Sequence, residues 1–309
     1  MRPAGSRIKT RFELLLLKVE IMKSLIGPLV RINQCPNSVA GVAFLIAGVW
    51  MLASADQASA VMIDGGWGTL KGQVVVSGDV PESPIENVEG GPDKEACLVD
   101  GEVPKDDNLV VGEEGQLRDV FVMMVTKGKG ENAPIHESYD AEADEDSEEV
   151  LSIDNVACRF VPHALYVRAG QSVKLKNSDT VGHNCHIITF TNEHNINLPA
   201  GGDVDVVLEN SHKTPGQVKC DIHKWMDGVI LVRDNPYVAI TDEEGNFEIA
   251  NVPQGEWEFQ FWHKKGAYLK KLEVEGYKVS RKGIIDVNIE ADGELDLGKM
   301  EVPGDSLNK

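Results

Sequence analysis

Seven consecutive residues carry the most distinctive chemistry of the chain. Cys220-Asp221-Ile222-His223-Lys224-Trp225-Met226 sets a thiol, an imidazole and a thioether at Cys-x2-His-x2-Met spacing. A second imidazole, His183, lies 37 positions earlier in Asn177-Ser178-Asp179-Thr180-Val181-Gly182-His183-Asn184-Cys185-His186. Imidazole suits Cu(II), thiolate suits both copper oxidation states, and a weak axial thioether tunes the potential between them. One short loop can wrap Cys220, His223 and Met226 around a single ion while His183 arrives from a neighbouring strand. Singly, each residue has a bland reading: a capping histidine, a core methionine, half of a disulfide. The conjunction points to a metal, and Met in the fourth place favours copper over zinc, whose structural sites recruit four strong ligands. His194 and His212 lie between the two motifs as candidates for an extra ligand.

Such donors need a rigid scaffold, and the sequence around them reads as strands. Thr69–Val76 is β-rich and ends at Ser77-Gly78-Asp79; Val120–Thr126 and Gly228–Val232 are apolar runs of strand length. Leu165–Val167 and Ser172–Lys176 flank the Ala169-Gly170 turn, and Val204, Val206 and Leu208 alternate with other residues. No amphipathic helix of three turns is evident, so the expected class is all-β, a sandwich. Residues 137–149 hold eight acidic side chains and no large aliphatic one. That composition predicts a mobile acidic loop between strands.

The two motifs resemble those of the cupredoxin family, plastocyanin and amicyanin in particular. Asn177-x-Asp179-x-x-x-His183-Asn184 is similar to the family's first-ligand segment, and Cys220/His223/Met226 has the short amicyanin-like spacing, with His186 also in place. The resemblance spans residues 157–232. It implies a Greek-key β-sandwich holding one type 1 copper ion through His183, Cys220, His223 and Met226, with the Asn184 backbone amide donating to the Cys220 sulfur. Cys185 departs from the family pattern, as does the long stretch from Thr69 to Ala157. From Thr241 to Gly255 the chain resembles the carboxypeptidase regulatory-like (transthyretin-like) β-sandwich, through its T-D-x-x-G-x-F-x-I-x-x-V-P-x-G pattern. The resulting division is 1–60 as leader, 61–234 as copper sandwich with inserted loops, and 235–309 as a small second sandwich. His263, beside Trp262, reads as a packed or capping histidine, and Trp225 as a packing residue.

The first sixty residues combine a basic start (Arg2, Arg7, Lys9, Arg11), an apolar run from Val39 to Ala53 and the small-residue site Ala58-Ser59-Ala60, the order of a secretory signal. Met22 offers an alternative start. Residues 61–309 hold 23 basic and 47 acidic side chains, a net charge of −24. Such a surface repels nucleic acid and anionic lipid, and favours a basic partner or simply solubility. In an exporting compartment disulfides persist. Cys97 and Cys158 lie outside both motifs and are the preferred pair, with Cys158–Cys185 as the alternative.

No nucleophile elbow, His-Glu-x-x-His or phosphate loop is present. Three protein ligands plus Met leave no open coordination position, so the expectation is a non-enzymatic, exported one-electron carrier. Its redox partner would be a basic protein such as a c-type cytochrome, with no stable membrane insertion after leader removal. Copper storage or delivery, and a structural extracellular protein with a vestigial copper fold, are the alternatives.

Overall fold

A computed structural model of the chain describes residues 65–81, 91–103, 106–125, 133–141 and 150–308. The expected leader, 1–60, and the greater part of the acidic segment, 142–149, lie outside the described residues. Val61–Lys309 belongs to one compact unit, and its elements are β-strands apart from short helical turns, in keeping with the all-β class. No helix among the described residues is long and apolar enough to cross a membrane.

Two β-sandwiches share the chain. The first holds the metal-ligand motifs. Its five-stranded sheet runs in the order β5 (Ala164–Arg168), β11 (Asp227–Arg233), β10 (Gly216–Lys219), β7 (His183–Ile188) and β8 (Glu193–Leu198). Its four-stranded sheet runs β4 (Arg159–Val161), β3 (Ser152–Val156), β6 (Ser172–Asn177) and β9 (Asp203–Val207). Alternation sends Val173 and Leu175 of β6, Val167 of β5 and Ile187 of β7 into one buried core.

The second sandwich is interrupted in sequence. One sheet places β1 (Trp67–Ser77) between β13 (Asn246–Pro253), to which it is antiparallel, and β17 (Glu294–Pro303), to which it is parallel. The other places β2 (Phe121–Val125) between β12 (Val238–Ile240) and β14 (Gly255–His263), with β15 (Ala267–Tyr268) and β16 (Ile284–Ile289) both pairing β14. Leu70 and Val74 of β1 meet Phe247, Phe259, Phe261 and Met300 in its core.

A division at residue 234 therefore does not follow the sheets. Thr69–Val76 and Val120–Thr126, expected in the copper sandwich, instead form ladders with strands beyond residue 237. The cause is visible in the Thr241–Gly255 pattern. The Thr241 hydroxyl accepts from the Val120 N–H (2.9 Å) and donates to the Leu117 carbonyl (2.7 Å). Gly245, at φ +73°, lies so close to β1 that a Cβ there would collide with the Val74 carbonyl oxygen. Residues that look like local turn chemistry thus receive the N-terminal strands.

β2 also explains how the two sandwiches meet. Its run Phe121–Val125 is apolar throughout because both faces are covered. Val122 and Met124 enter the interrupted sandwich's core, while Phe121 and Met123 join Ala164, Val229 and Leu231 of the metal-site sandwich. In the acidic segment, Ser138–Ala141 forms a helical turn anchored by Tyr139, whose hydroxyl donates to the Ala250 carbonyl (2.6 Å).

Candidate metal centre

Asn177 ends β6 with its side-chain amide donating to the Val181 and Leu198 carbonyls (2.8 and 3.0 Å), and its Oδ1 accepts from the Asp179 N–H. That tight turn delivers His183 as the first residue of β7. Cys220 follows β10 and opens the loop that re-enters the sheet at β11. The loop is closed on itself: Cys220 N–H donates to the Met226 carbonyl (3.2 Å) and Met226 N–H to the His223 carbonyl (2.9 Å). Asn184 ties the strand to the loop, its Oδ1 accepting from the Asp221 N–H and its Nδ2 donating to Asp221 Oδ2 (3.2 Å). The Asn184 contact, joined by those of Asn195 Nδ2 (3.2 Å) and His186 Nδ1 (3.1 Å), holds the Asp221 carboxyl down at about 2.

His183, Cys220 and His223 converge. Cys220 Sγ lies 4.0 Å from His183 Nδ1 and 3.8 Å from His223 Nδ1, and the two Nδ1 atoms are 2.9 Å apart. All three side chains, and Met226, are buried, each at most 1% exposed. Met226 shares the core that contains Cys220. The loop N–H of His223 points at the Cys220 sulfur at 3.4 Å. Burial alone would raise the Cys220 thiol; hydrogen bonds from His183 and from the N–H groups of His223, Asn184 and Ile222 outweigh it and hold the thiol below its usual range. Cys185, in contrast, is pushed up to about 12 by burial and by the neighbouring Cys220 charge. It remains an inert buried thiol beside a poised one.

Each imidazole is fixed from its far side by a carboxylate. His183 Nε2 meets Asp179 Oδ2 at 2.8 Å, and His223 Nε2 meets Asp93 Oδ2 at 3.2 Å. A carboxylate on Nε2 assigns the proton there and leaves the Nδ1 lone pair facing inward. Two such lone pairs at 2.9 Å, beside a sulfur inclined to be a thiolate, favour a positive charge among them. Burial lowers His183, but the Asp179 and Cys220 contacts prevail and raise it to about 9. His223 is pushed down, by burial and then by the His183 charge.

A metal ion fits the same place. His183, Cys220 and His223 would hold such an ion through Nδ1, Sγ and Nδ1, whose separations suit imidazole and thiolate ligation. Three of the residues singled out from sequence are therefore brought into one ligand cluster, with Met226 on the same loop and Asn184 aimed at the sulfur. His194 and His212 belong to no such cluster among the described residues. His212 stacks on Phe190 at 5.0 Å and accepts from the Thr214 N–H. His186 turns to Asp221 (3.1 Å). His263 is buried and accepts from the Lys265 N–H (3.2 Å).

The ligand motifs alone assign no role to Asp179 or Asp93, which hold the two imidazoles. Asp179 accepts from the Ala157 and Cys158 N–H groups as well (2.6 and 2.9 Å), and its place four residues before His183 was a usable signal. Asp93 carried none, lying 130 positions from its partner. The disulfide joins Cys97 to Cys158, the preferred pair, and Cys185 is free.

No family model and no curated protein matches the chain. Similar solved structures include a copper-containing nitrite reductase from Thermus scotoductus SA-01, 20% identical over 27% of this chain and 22% of the reductase, at a TM-score of 0.25. A purple cupredoxin from Nitrosopumilus maritimus is 23% identical over 26% of this chain and 98% of its own, at 0.23. A reduced, Cu(I) form of an amicyanin variant is 16% identical over 36% and 98%, at 0.25. The assignment of the centre rests on its own geometry.

Proposed function

We propose that the chain is an exported, non-enzymatic one-electron carrier with a single type 1 copper centre. His183, Cys220 and His223 would hold the ion, with Met226 as the axial ligand. The observation that carries this reading is the convergence of two inward-facing Nδ1 atoms and the Cys220 sulfur in a buried site. When bound, copper would supply a Cu(I)/Cu(II) couple. The residues supply the rest: the β6–β7 turn and the closed Cys220–Met226 loop hold the donors in one arrangement, which limits reorganisation on electron transfer. Burial excludes water and free ligands. The Cys-x2-His-x2-Met loop favours copper over zinc because a thioether contributes little to a zinc site.

The acidic balance of the whole chain, 50 acidic against 30 basic residues, supports a basic redox partner such as a c-type cytochrome, because opposite charge accelerates encounter. The leader-like pattern in residues 1–60 supports export. Potentiometric titration of the copper-loaded chain tests the reading. A reversible one-electron couple is expected. Tight Cu(I) binding without a reversible couple would replace it with copper storage or delivery, and no copper binding would leave a structural protein.

A further inference from the structure

We infer that Asp93 is a positioning residue for His223, and that the Cys97–Cys158 disulfide is the strap that keeps it there. The inference rests on the reading of His183, Cys220 and His223 as a copper site. It concerns residues that the two ligand motifs do not contain.

Asp93 stands at the head of a short helical turn, Lys94–Cys97. Its carbonyl accepts from the Ala96 and Cys97 N–H groups (2.9 and 3.3 Å), so the Asp93 backbone and Cys97 move as one piece. Cys97 is bonded to Cys158. A ring nitrogen of His223 lies within 4.8 Å of both sulfur atoms of that bridge. The bridge therefore lies beside the second imidazole, and the Asp93 carboxylate reaches its Nε2. His223 is completely buried although its loop is at the surface end of the sandwich, where Ile222 is 42% exposed.

The other end of the strap is tied to the first imidazole. Cys158 N–H donates to Asp179, the carboxylate that holds His183, and Cys158, Asp179 and His183 form a contiguous group. One covalent bridge thus links the carboxylate on His223 to the turn that positions the carboxylate on His183. Both imidazoles are oriented from outside by groups that the bridge holds in register. A carboxylate on the outer nitrogen fixes the tautomer and makes the inner nitrogen a better donor. Its negative charge also favours Cu(II) over Cu(I).

The test compares the full chain with Asp93→Ala, Asp93→Asn and the Cys97→Ser/Cys158→Ser pair. Copper affinity would be read by competition with a chelator, and the reduction potential by titration. The His223 ring nitrogens would be read by NMR in the metal-free protein. Asp93→Ala is expected to weaken copper binding about 10–100-fold, raise the potential and shift the His223 Nε2 resonance. Asp93→Asn, which keeps an acceptor but no charge, is expected to raise the potential with a smaller loss of affinity. The serine pair should reproduce the Asp93→Ala loss, and combining the two should add little to it, as for coupled groups. Should the serine pair fail to fold, the Asp93 variants decide. Unchanged affinity, potential and His223 signals in Asp93→Ala would overturn the inference. A wild-type chain that takes up no copper, with His223 still responding to Asp93→Ala, would overturn the copper reading and leave the strap standing.

Discussion

The Nδ1 atoms of His183 and His223 stand 2.9 Å apart while the Nε2 atom of each faces an aspartate. That opposition suits the site to a cation. Carboxylates outside fix the protons outside, and the inward lone pairs converge beside Cys220.

Asp179 is the first test of the arrangement. Asp179→Asn keeps one acceptor for the Ala157 or Cys158 N–H but removes the charge from His183. Copper affinity is expected to fall about 10–100-fold, measured by chelator competition, with the strands intact by circular dichroism. Affinity equal to wild type would mean that the outer carboxylate does not tune His183.

Met226 separates tuning from packing. Its side chain is 1% exposed in the shared core, so Met226→Leu conserves volume and should cost less than about 1.5 kcal/mol in stability. Loss of the proposed thioether ligand should nevertheless shift the reduction potential upward. A thermal melt and a potentiometric titration read the two effects separately. A large stability loss with an unchanged potential would make Met226 a core residue only.

His263 predicts an acid-sensitive interior. Burial pushes its imidazole down from the ordinary 6.5 to about 4, and it accepts the Lys265 N–H in neutral form. Between those values the unfolded chain binds a proton that the folded chain refuses, so stability declines as pH falls from about 6.5 to about 4. The loss amounts to about 3 kcal/mol. Urea unfolding at a series of pH values should show this limb, and His263→Gln should flatten it. The same slope in the variant would assign the limb to other groups.

The interrupted sandwich yields a prediction about fragments. β1 is the middle strand of its sheet and β2 an interior strand of the other, between β12 and β14, so residues 235–309 alone lack both and should not fold. Within the full chain, Leu70→Ala, at a fully buried position of β1, should cost about 2–5 kcal/mol. A fragment 235–309 with cooperative unfolding would contradict this topology.

Two members of the ligand cluster, Cys220 and His223, were legible because they share one loop, where spacing alone encodes proximity. His183 was legible through the turn residues before it. The disulfide was legible only as a preference, since Cys97 and Cys158 lie outside both motifs while Cys158–Cys185 stayed open; the structure joins Cys97 to Cys158. The partnership of β1 with β17 was not legible, since a parallel ladder between segments more than two hundred positions apart leaves no local trace. The continuous apolar run of β2 did carry a clue, for a strand without a polar face must be covered on both sides. Asp93 reaches His223 only through tertiary packing.

The most direct measurement is the visible absorption of the full chain after Cu(II) addition, beside Cys220→Ser. An intense charge-transfer band from thiolate to copper is expected in the wild type and none in the variant. A wild-type protein that binds Cu(II) without that band, or a band that persists in Cys220→Ser, would contradict the type 1 copper reading.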